Sequence, residues 1–200
     1  MSQRLIVAVT GASGALYAVR FLKAGLEAGL DIDLIPSDYG KRLLIEECDW
    51  NVKAEAIESW LDRRYGPADR PGSVTVRNPN DMGADVASGS QRWRGMVVIP
   101  CSMKTLSGIA AGSSSNLVER AADVTLKEGR RLIVVPRETP LNLIQLENMT
   151  RLSRAGATIL PAMPAFYQQP KDMDELADFI VGRVLSQLDI PHDLYNPWKG

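Results

Sequence analysis

Short apolar runs of strand length alternate along this chain with segments of helical periodicity. Strand-like runs fall at residues 4–10, 31–36, 73–76, 95–100, 132–135 and 157–160. Helical patterns fall at residues 15–27, 38–48, 54–61, 117–128, 142–155 and 172–188. Strands that alternate with helices indicate a parallel sheet covered by helices on both faces. The sequence therefore predicts a three-layer, doubly wound α/β fold for residues 1–200 as one domain, with a long polar insert at 63–94.

The composition is that of an ordinary globular protein. The formal net charge is −1, so no overall field favours nucleic acid or an anionic membrane surface. The apolar runs are too short to span a bilayer, and the run at 5–9 lacks the length and cleavage site of a signal peptide. Cys48 and Cys101 are too few and too far apart for a disulfide framework or a Cys-x-x-Cys metal site. We therefore expect a cytoplasmic protein.

The single histidine, His192, argues against several kinds of catalytic site. Zinc hydrolase sites and Ser/His or Cys/His nucleophile systems need histidine beside other specific groups. His192 follows Pro191 near the end of the chain, where a surface position is the common outcome. We expect neither a metal site nor a catalytic triad.

Small, hydroxyl-bearing or charged residues follow five of the predicted strands. They are Gly11-Ala12-Ser13-Gly14, Ser37, Ser102 to Thr105, Arg137-Glu138, and residues 162–167. In parallel sheets these strand ends share one edge, where helix N-termini offer free N–H groups to anions. Ordinary turns use the same residue types, but five such loops on one edge favour a phosphate-bearing ligand. A dinucleotide fingerprint is weak here, because Val9 stands at its first glycine position.

Three charged features each allow two interpretations. Arg120 and Lys127 lie on one helical face with an aspartate between them. They belong either to a solvated ladder of ion pairs or to a ligand-binding site. Arg183 borders the apolar stripe of the last helix, where it extends to solvent or binds an anion. Glu138 beside Arg137 forms a local contact, or acts as an acid that carries a proton beside a phosphate.

Six short segments spread over almost the whole chain form a specific set. They are TGASG at 10–14, CSMKT at 101–105, ERAADV at 119–124, LKE at 126–128, PRETPL at 136–141 and PAMPAFY at 161–167. In this order they closely resemble the motifs of the UbiX/Pad-type flavin prenyltransferase family. The resemblance implies a flavodoxin-like or Rossmann-like fold that binds FMN and forms a homo-oligomer, commonly a dodecamer.

The resemblance also implies a reaction. Family members join the dimethylallyl group of dimethylallyl phosphate to N5 and C6 of reduced FMN without a metal ion. The product, prenylated FMN, passes to a partner decarboxylase of the UbiD type. Neither nucleic acid nor a membrane is implied as a partner.

Matching positions carry the family's site residues onto this chain. The FMN site is expected at Gly11, Ala12, Ser13, Ser37, Ser102, Met103, Lys104, Thr105, Arg120 and Arg137. The substrate phosphate is expected at Lys127, Arg137, Glu138, Tyr167 and Arg183, with Trp198 as a wall of the site. Catalytic roles are expected for Glu138, Ser13, Glu47 and Lys127. Met82 departs from the pattern, because some relatives carry there a tryptophan that shields the allyl group.

Two other functions stay open on the same kind of fold. One is a flavin-dependent cysteine decarboxylase, although such enzymes use an active-site histidine and an Asn-bearing Pro-Ala-Ser-Ala-Asn-type loop that this chain lacks. The other is a non-catalytic flavoprotein that supports a partner. Such a protein has no need of Lys127, Glu138, Tyr167 and Arg183 together.

Overall fold

A computed structural model describes residues 3–195 as a six-stranded parallel sheet with helices on both faces. The strands are β1 (Arg4–Val9), β2 (Asp31–Pro36), β3 (Ser73–Val76), β4 (Gly95–Cys101), β5 (Arg131–Pro136) and β6 (Thr158–Ile159). The helices are α1 (Ala15–Glu27), α2 (Asp38–Cys48), α3 (Ile57–Tyr65), α4 (Met103–Ala111), α5 (Leu117–Lys127), α6 (Leu143–Arg154) and α7 (Met173–Gln187). The spatial order β3-β2-β1-β4-β5-β6 confirms the predicted doubly wound sheet.

The side-chain alternation of the central strand divides the core into two layers. In β1, Leu5, Val7 and Val9 face one layer, which α1, α2, α3 and α7 cover. Ile6 and Ala8 face the other layer, which α4, α5 and α6 cover. A strand buried on both faces has no polar side, so β1 reads as a continuous apolar run.

Two helices differ from the sequence-based expectation. The segment after β4 was expected as a loop, but residues Met103–Ala111 form α4, with Ser102 as its N-cap. Its small and hydroxyl-bearing residues show no clear amphipathic pattern. The helix is stabilised instead by packing against α5 and α6. Helix α3 begins at Ile57 and continues to Tyr65, later than the expected 54–61.

The polar insert at 63–94 is packed against the domain. It contains the end of α3, strand β3 and a 3-10 turn at Asp85–Ala87. Arg77 forms an ion pair with Asp33 of β2 at 2.6 Å. Trp93 near the end of the insert is only 4% exposed. Among the residues the structure describes, no helix is both long and apolar enough to cross a bilayer.

Candidate functional site

The connections from β1 and β4 leave toward opposite faces of the sheet, and a crevice opens between them. The buried hydroxyl of Thr10 ties these two strand ends together: it donates to the Pro100 carbonyl at 3.0 Å and accepts from the Ser102 amide at 2.8 Å. Thr10 is only 1% exposed. It opens the TGASG motif, but sequence reasoning gave it no role of its own, because a threonine at the end of a strand is common.

One cavity of about 480 Å³ lies at this crevice, and we call it the switch-point cavity. Its lining brings together Gly11, Ser37, Ser102, Lys104 and Thr105, five of the residues predicted for FMN. Of the other predicted residues nearby, Ala12 is buried and Met103 packs against the core layer of α4 to α6.

The switch-point cavity is rich in hydrogen-bond donors. Ser37 caps α2 by accepting from the Gly40 amide at 3.0 Å, and Ser102 caps α4 by accepting from the Thr105 amide at 3.3 Å. Both helix N-termini therefore open at this cavity and favour an anion there. The exposed Lys104 has no ion pair within residues 3–195.

The acidic residues of the switch-point cavity are already paired. Asp38 forms an ion pair with Lys41 at 2.9 Å. Glu119 accepts from the Ser113 hydroxyl at 2.6 Å and from the Ser115 amide at 2.8 Å. Burial pushes the pKa of Glu119 up, but these hydrogen bonds outweigh burial and hold it below its ordinary value. The donor set thus suits the phosphate and polar edge of FMN.

A second cavity of about 470 Å³ lies on the other side of the β1–α1 loop, between α1 and α7. We call it the α1–α7 cavity, and its lining includes Ser13, Glu47 and Arg137. One oxygen of Glu47 accepts from the Gly14 and Ala15 amides, both at 2.8 Å. A carboxylate therefore occupies the N-terminus of α1, where a dinucleotide would place its pyrophosphate. This contact argues against a dinucleotide cofactor.

Arg137 joins β5 to the β1–α1 loop. Its Nε donates to the Ser13 carbonyl at 2.9 Å. Glu138 does not pair with Arg137 in the described residues; its Oε1 accepts from the Thr139 amide at 3.0 Å, and the side chain is exposed. The local Arg–Glu contact is thus absent, and Glu138 is accessible to a ligand.

Tyr17 and Arg64 also line the α1–α7 cavity, and sequence reasoning missed both. Burial raises the pKa of the Tyr17 phenol, while the positive charge of Arg137 opposes the shift. The helical pattern at 15–27 gave Tyr17 no role, because a tyrosine in a mostly apolar helix carries no specific signal. The only available signal was its position three residues after Gly14.

Neither Arg120 nor Lys127 lines either cavity. Arg120 forms an ion pair with Asp123 at 2.9 Å, and Lys127 pairs with Glu128 at 2.5 Å. Helix α5 ends where β5 begins, so Lys127 lies at the amino-terminal edge of the sheet. The six residues of β5 separate that edge from Arg137 by about 20 Å.

Tyr167, which precedes α7, and Arg183, which belongs to α7, are both exposed and lie beside the same aromatic rings. The Tyr167 ring contacts Phe179 edge-on at 6.1 Å, and Phe179 contacts Tyr195 at 5.2 Å between ring centroids. Arg183 donates from Nη1 to the Tyr195 hydroxyl at 3.4 Å. Neither Tyr167 nor Arg183 lines the α1–α7 cavity.

Trp198, Met82 and His192 are the other residues that the sequence singled out. Trp198 lies outside the described residues. Met82 is largely exposed on the insert. His192 is half-buried, with Nε2 at 2.9 Å from the Ser186 hydroxyl. In residues 3–195 no group of three or more His, Cys, Asp or Glu residues is placed to hold a metal ion.

The chain is similar to known flavoproteins. The Flavoprotein family model matches residues 1–185. The chain is 50% identical to flavin prenyltransferase UbiX of Halalkalibacterium halodurans, over 96% of this chain and 91% of the relative. It is 45% identical to flavin prenyltransferase UbiX of Synechocystis, over 100% of this chain and 98% of the relative.

Two solved structures are similar to this chain over almost its whole length. AnUbiX (PadA1), in complex with FMN and dimethylallyl pyrophosphate, superposes with a TM-score of 0.88 at 40% identity and covers 100% of this chain and 99% of its own. A dodecameric FMN-dependent UbiX-like decarboxylase from Escherichia coli O157:H7 gives a TM-score of 0.86 at 43% identity, covering 98% of this chain and 100% of its own. The peptidyl-cysteine decarboxylase EpiD, at 15% identity and a TM-score of 0.58, shares the fold alone. The chain belongs to the UbiX flavin prenyltransferase family of flavoproteins.

Proposed function

We propose that this protein joins the dimethylallyl group of dimethylallyl phosphate to N5 and C6 of reduced FMN. The observation that carries this proposal is the pair of cavities on either side of one loop, Gly11 to Gly14. The switch-point cavity offers helix N-termini and hydroxyls to the flavin, and the α1–α7 cavity adds Arg137 and Glu47 within reach of the same loop. Two ligands bound on one loop can exchange a group.

Each of several residues of the chain has a separate role in the proposed reaction. Reduced FMN, when bound, supplies the nucleophilic atoms. Arg137, fixed on the Ser13 carbonyl, offers its remaining N–H groups to an anion. The accessible carboxyl of Glu138 exchanges a proton with the departing phosphate. Ser13, which lines the α1–α7 cavity, would hold the edge of the flavin through its hydroxyl. Apolar side chains of α7, such as Leu176 in the α1–α7 cavity, keep water from the allylic carbon.

Two predicted site residues, Arg120 and Lys127, fit a site that is built between copies of the chain. Neither Lys127 nor Arg120 lines a cavity of its own chain. Large apolar side chains are exposed on α6 and on a second 3-10 turn at Phe166–Gln168, with Leu143 69% and Phe166 76% exposed. Such surfaces mark protein contacts. We therefore assign a homo-oligomer, as in the dodecameric E. coli relative, in which Lys127 of one protomer completes the phosphate site of another.

Mixing two inactive variants tests this arrangement. Ser13→Ala and Lys127→Gln proteins are each purified, then mixed under conditions that allow subunits to exchange. If Lys127 serves a neighbouring chain, mixed assemblies contain some intact sites and regain activity. A Ser13→Ala/Lys127→Gln double variant, exchanged with wild type at the same ratio, is the matched control. Mixtures without regained activity would place both residues in one chain's site.

The central experiment is anaerobic incubation of the protein with reduced FMN and dimethylallyl phosphate. The expected result is a flavin whose mass is larger by one isoprene unit, detected by mass spectrometry. A flavin-dependent cysteine decarboxylase would instead release CO₂ from a C-terminal cysteine peptide, and a non-catalytic flavoprotein would bind FMN unchanged. Unmodified FMN after full occupancy by both ligands would refute the proposed transfer.

The product has a predictable recipient. We assign prenylated FMN to a UbiD-type decarboxylase acting on aromatic or α,β-unsaturated acids. Adding the reaction mixture to such an apo-decarboxylase should activate it, whereas FMN alone should not. Activation by both flavins alike would contradict this assignment.

A further inference from the structure

The segment at 191–195 packs against α7 through its side chains. The ring of Tyr195 contacts the rings of Phe179 and His192, with centroids 5.2 Å and 5.1 Å away. His192 is anchored in turn, because its Nε2 lies 2.9 Å from the Ser186 hydroxyl. Phe179 and Ser186 both belong to α7. These contacts fix the Tyr195 ring against that helix.

Gly182 leaves the space that the Tyr195 ring occupies. A β-carbon at this position would lie 2.6 Å from Cδ1 and Cε1 of Tyr195 and 2.8 Å from Cε1 of His192. These distances are shorter than van der Waals contact, so any larger residue would displace the ring. Glycine is unfavourable in a helix interior, and Gly182 is buried within α7. The close approach of the ring accounts for a glycine here.

Arg183, the next residue along α7, is held by the same tyrosine. Its Nη1 donates to the Tyr195 hydroxyl at 3.4 Å, and within residues 3–195 no carboxylate pairs with it. This bond is long, so the orientation of Arg183 depends on how firmly the Tyr195 ring is seated. A neutral phenol orients a guanidinium without cancelling its charge. The other N–H groups of Arg183 therefore remain available to an anion.

The ionisation of the Tyr195 phenol reflects this contact. Burial raises its pKa, but hydrogen bonds with Ser186 and Arg183 and the positive charge of Arg183 lower it further, below the ordinary value of 10.0. The guanidinium thus acts on the phenol electrostatically as well as through the hydrogen bond.

We propose that Tyr195 is a positioning residue for the donor substrate: seated in the space that Gly182 leaves, it holds Arg183 in the orientation that binds the phosphoryl group of dimethylallyl phosphate. The inference rests on the proposed function, in which that phosphate is the substrate. An exposed arginine loses side-chain freedom when a ligand immobilises it. Tyr195 removes part of that loss before the substrate arrives.

A double-mutant cycle tests this role. Binding of dimethylallyl phosphate is measured by calorimetry on the assembled protein loaded with oxidised FMN. Tyr195→Phe keeps the ring and removes only the hydroxyl, so the Kd should rise about three- to tenfold, while the Kd of FMN stays unchanged. In an Arg183→Gln background the same substitution should change the Kd by less than about twofold, because its target is gone. An equal effect in both backgrounds would overturn the positioning role.

An ultraviolet titration of the phenols tests the contact without any substrate. The difference between wild type and Tyr195→Phe reports the pKa of Tyr195. In Arg183→Gln this pKa should rise, because the nearby positive charge is removed. His192, the other titratable group against the ring, is neutral throughout this alkaline range. A Tyr195 pKa that is the same with and without Arg183 would overturn the inference.

Gly182→Ala tests the seat of the ring. The added methyl group should displace Tyr195, so the Kd of dimethylallyl phosphate should rise at least as far as in Tyr195→Phe; a wild-type Kd would contradict the role of the seated ring. Prenylation of FMN by Tyr195→Phe with the wild-type KM would overturn the inference and leave the proposed function standing. Coupled binding without any prenylated FMN would do the reverse, and a wild type that does not bind dimethylallyl phosphate would overturn both.

Discussion

The two edges of the sheet use charge in opposite ways. At the amino-terminal edge, Asp33 is 3% exposed and holds Arg4 at 2.5 Å and Arg77 at 2.6 Å. At the carboxyl edge, Glu138 and Lys104 are exposed and have no ion pair within residues 3–195. Buried pairs fix the fold, whereas unpaired charges at strand ends are available to ligands.

The contrast between the two edges predicts which residues contribute to stability and which contribute to the reaction. Substitutions in the Asp33 network should affect stability and leave chemistry intact, while substitutions around Glu138 should do the reverse. Four predictions test this division.

The largest effect is expected for Glu138→Gln. The amide keeps the size of the side chain but cannot exchange a proton, so ring formation should slow by about 10²- to 10⁴-fold. FMN affinity should stay unchanged, as measured by anaerobic titration. Asp69→Asn, at an exposed position of the insert, is the control. Wild-type turnover of Glu138→Gln would remove this residue from the mechanism.

Asp33→Asn should lower the free energy of unfolding by about 3–5 kcal/mol, because two guanidinium groups lose their buried counter-charge. Denaturant unfolding measures the change. Asp49→Asn breaks an exposed pair with Arg63 and should cost less than about 1 kcal/mol. Similar losses in both variants would contradict the contrast between the edges.

Arg183→Ala should weaken dimethylallyl phosphate binding by about 10- to 100-fold through loss of a charged hydrogen bond. FMN binding should not change. Arg154→Ala, on the last turn of α6, controls for charge. Equal weakening of both ligands by Arg183→Ala would assign Arg183 a structural role.

Glu119→Gln should reduce stability at neutral pH by about 1–3 kcal/mol. Because the folded pKa of Glu119 lies below its ordinary value of 4.5, its stabilisation is complete above that value. It is lost as pH falls through the folded pKa. The difference between wild type and variant should therefore shrink in acid. A difference that stays constant with pH would exclude the carboxylate charge as its cause.

Much of the candidate site could be predicted from the chain alone. The loops after β1, β2 and β4 were identified by their small and hydroxyl-bearing residues, and the sheet brings them to one cavity. Tyr17 could not be identified, because a tyrosine among the mostly apolar residues of α1 looks the same in the sequence whether it packs in the core or lines a cavity. Helix α4 was missed because its stability comes from packing rather than from periodicity.

The sequence by itself determined the alternation of strands and helices, and with it the parallel sheet, since periodicity and turn chemistry are local properties. Its motifs also determined the family. Only the tertiary structure decided that Glu47 occupies the N-terminus of α1, that Arg137 is held by Ser13, and that Lys127 lies at the opposite edge. These are contacts between residues distant in the chain, and their geometry depends on how the helices pack against the sheet.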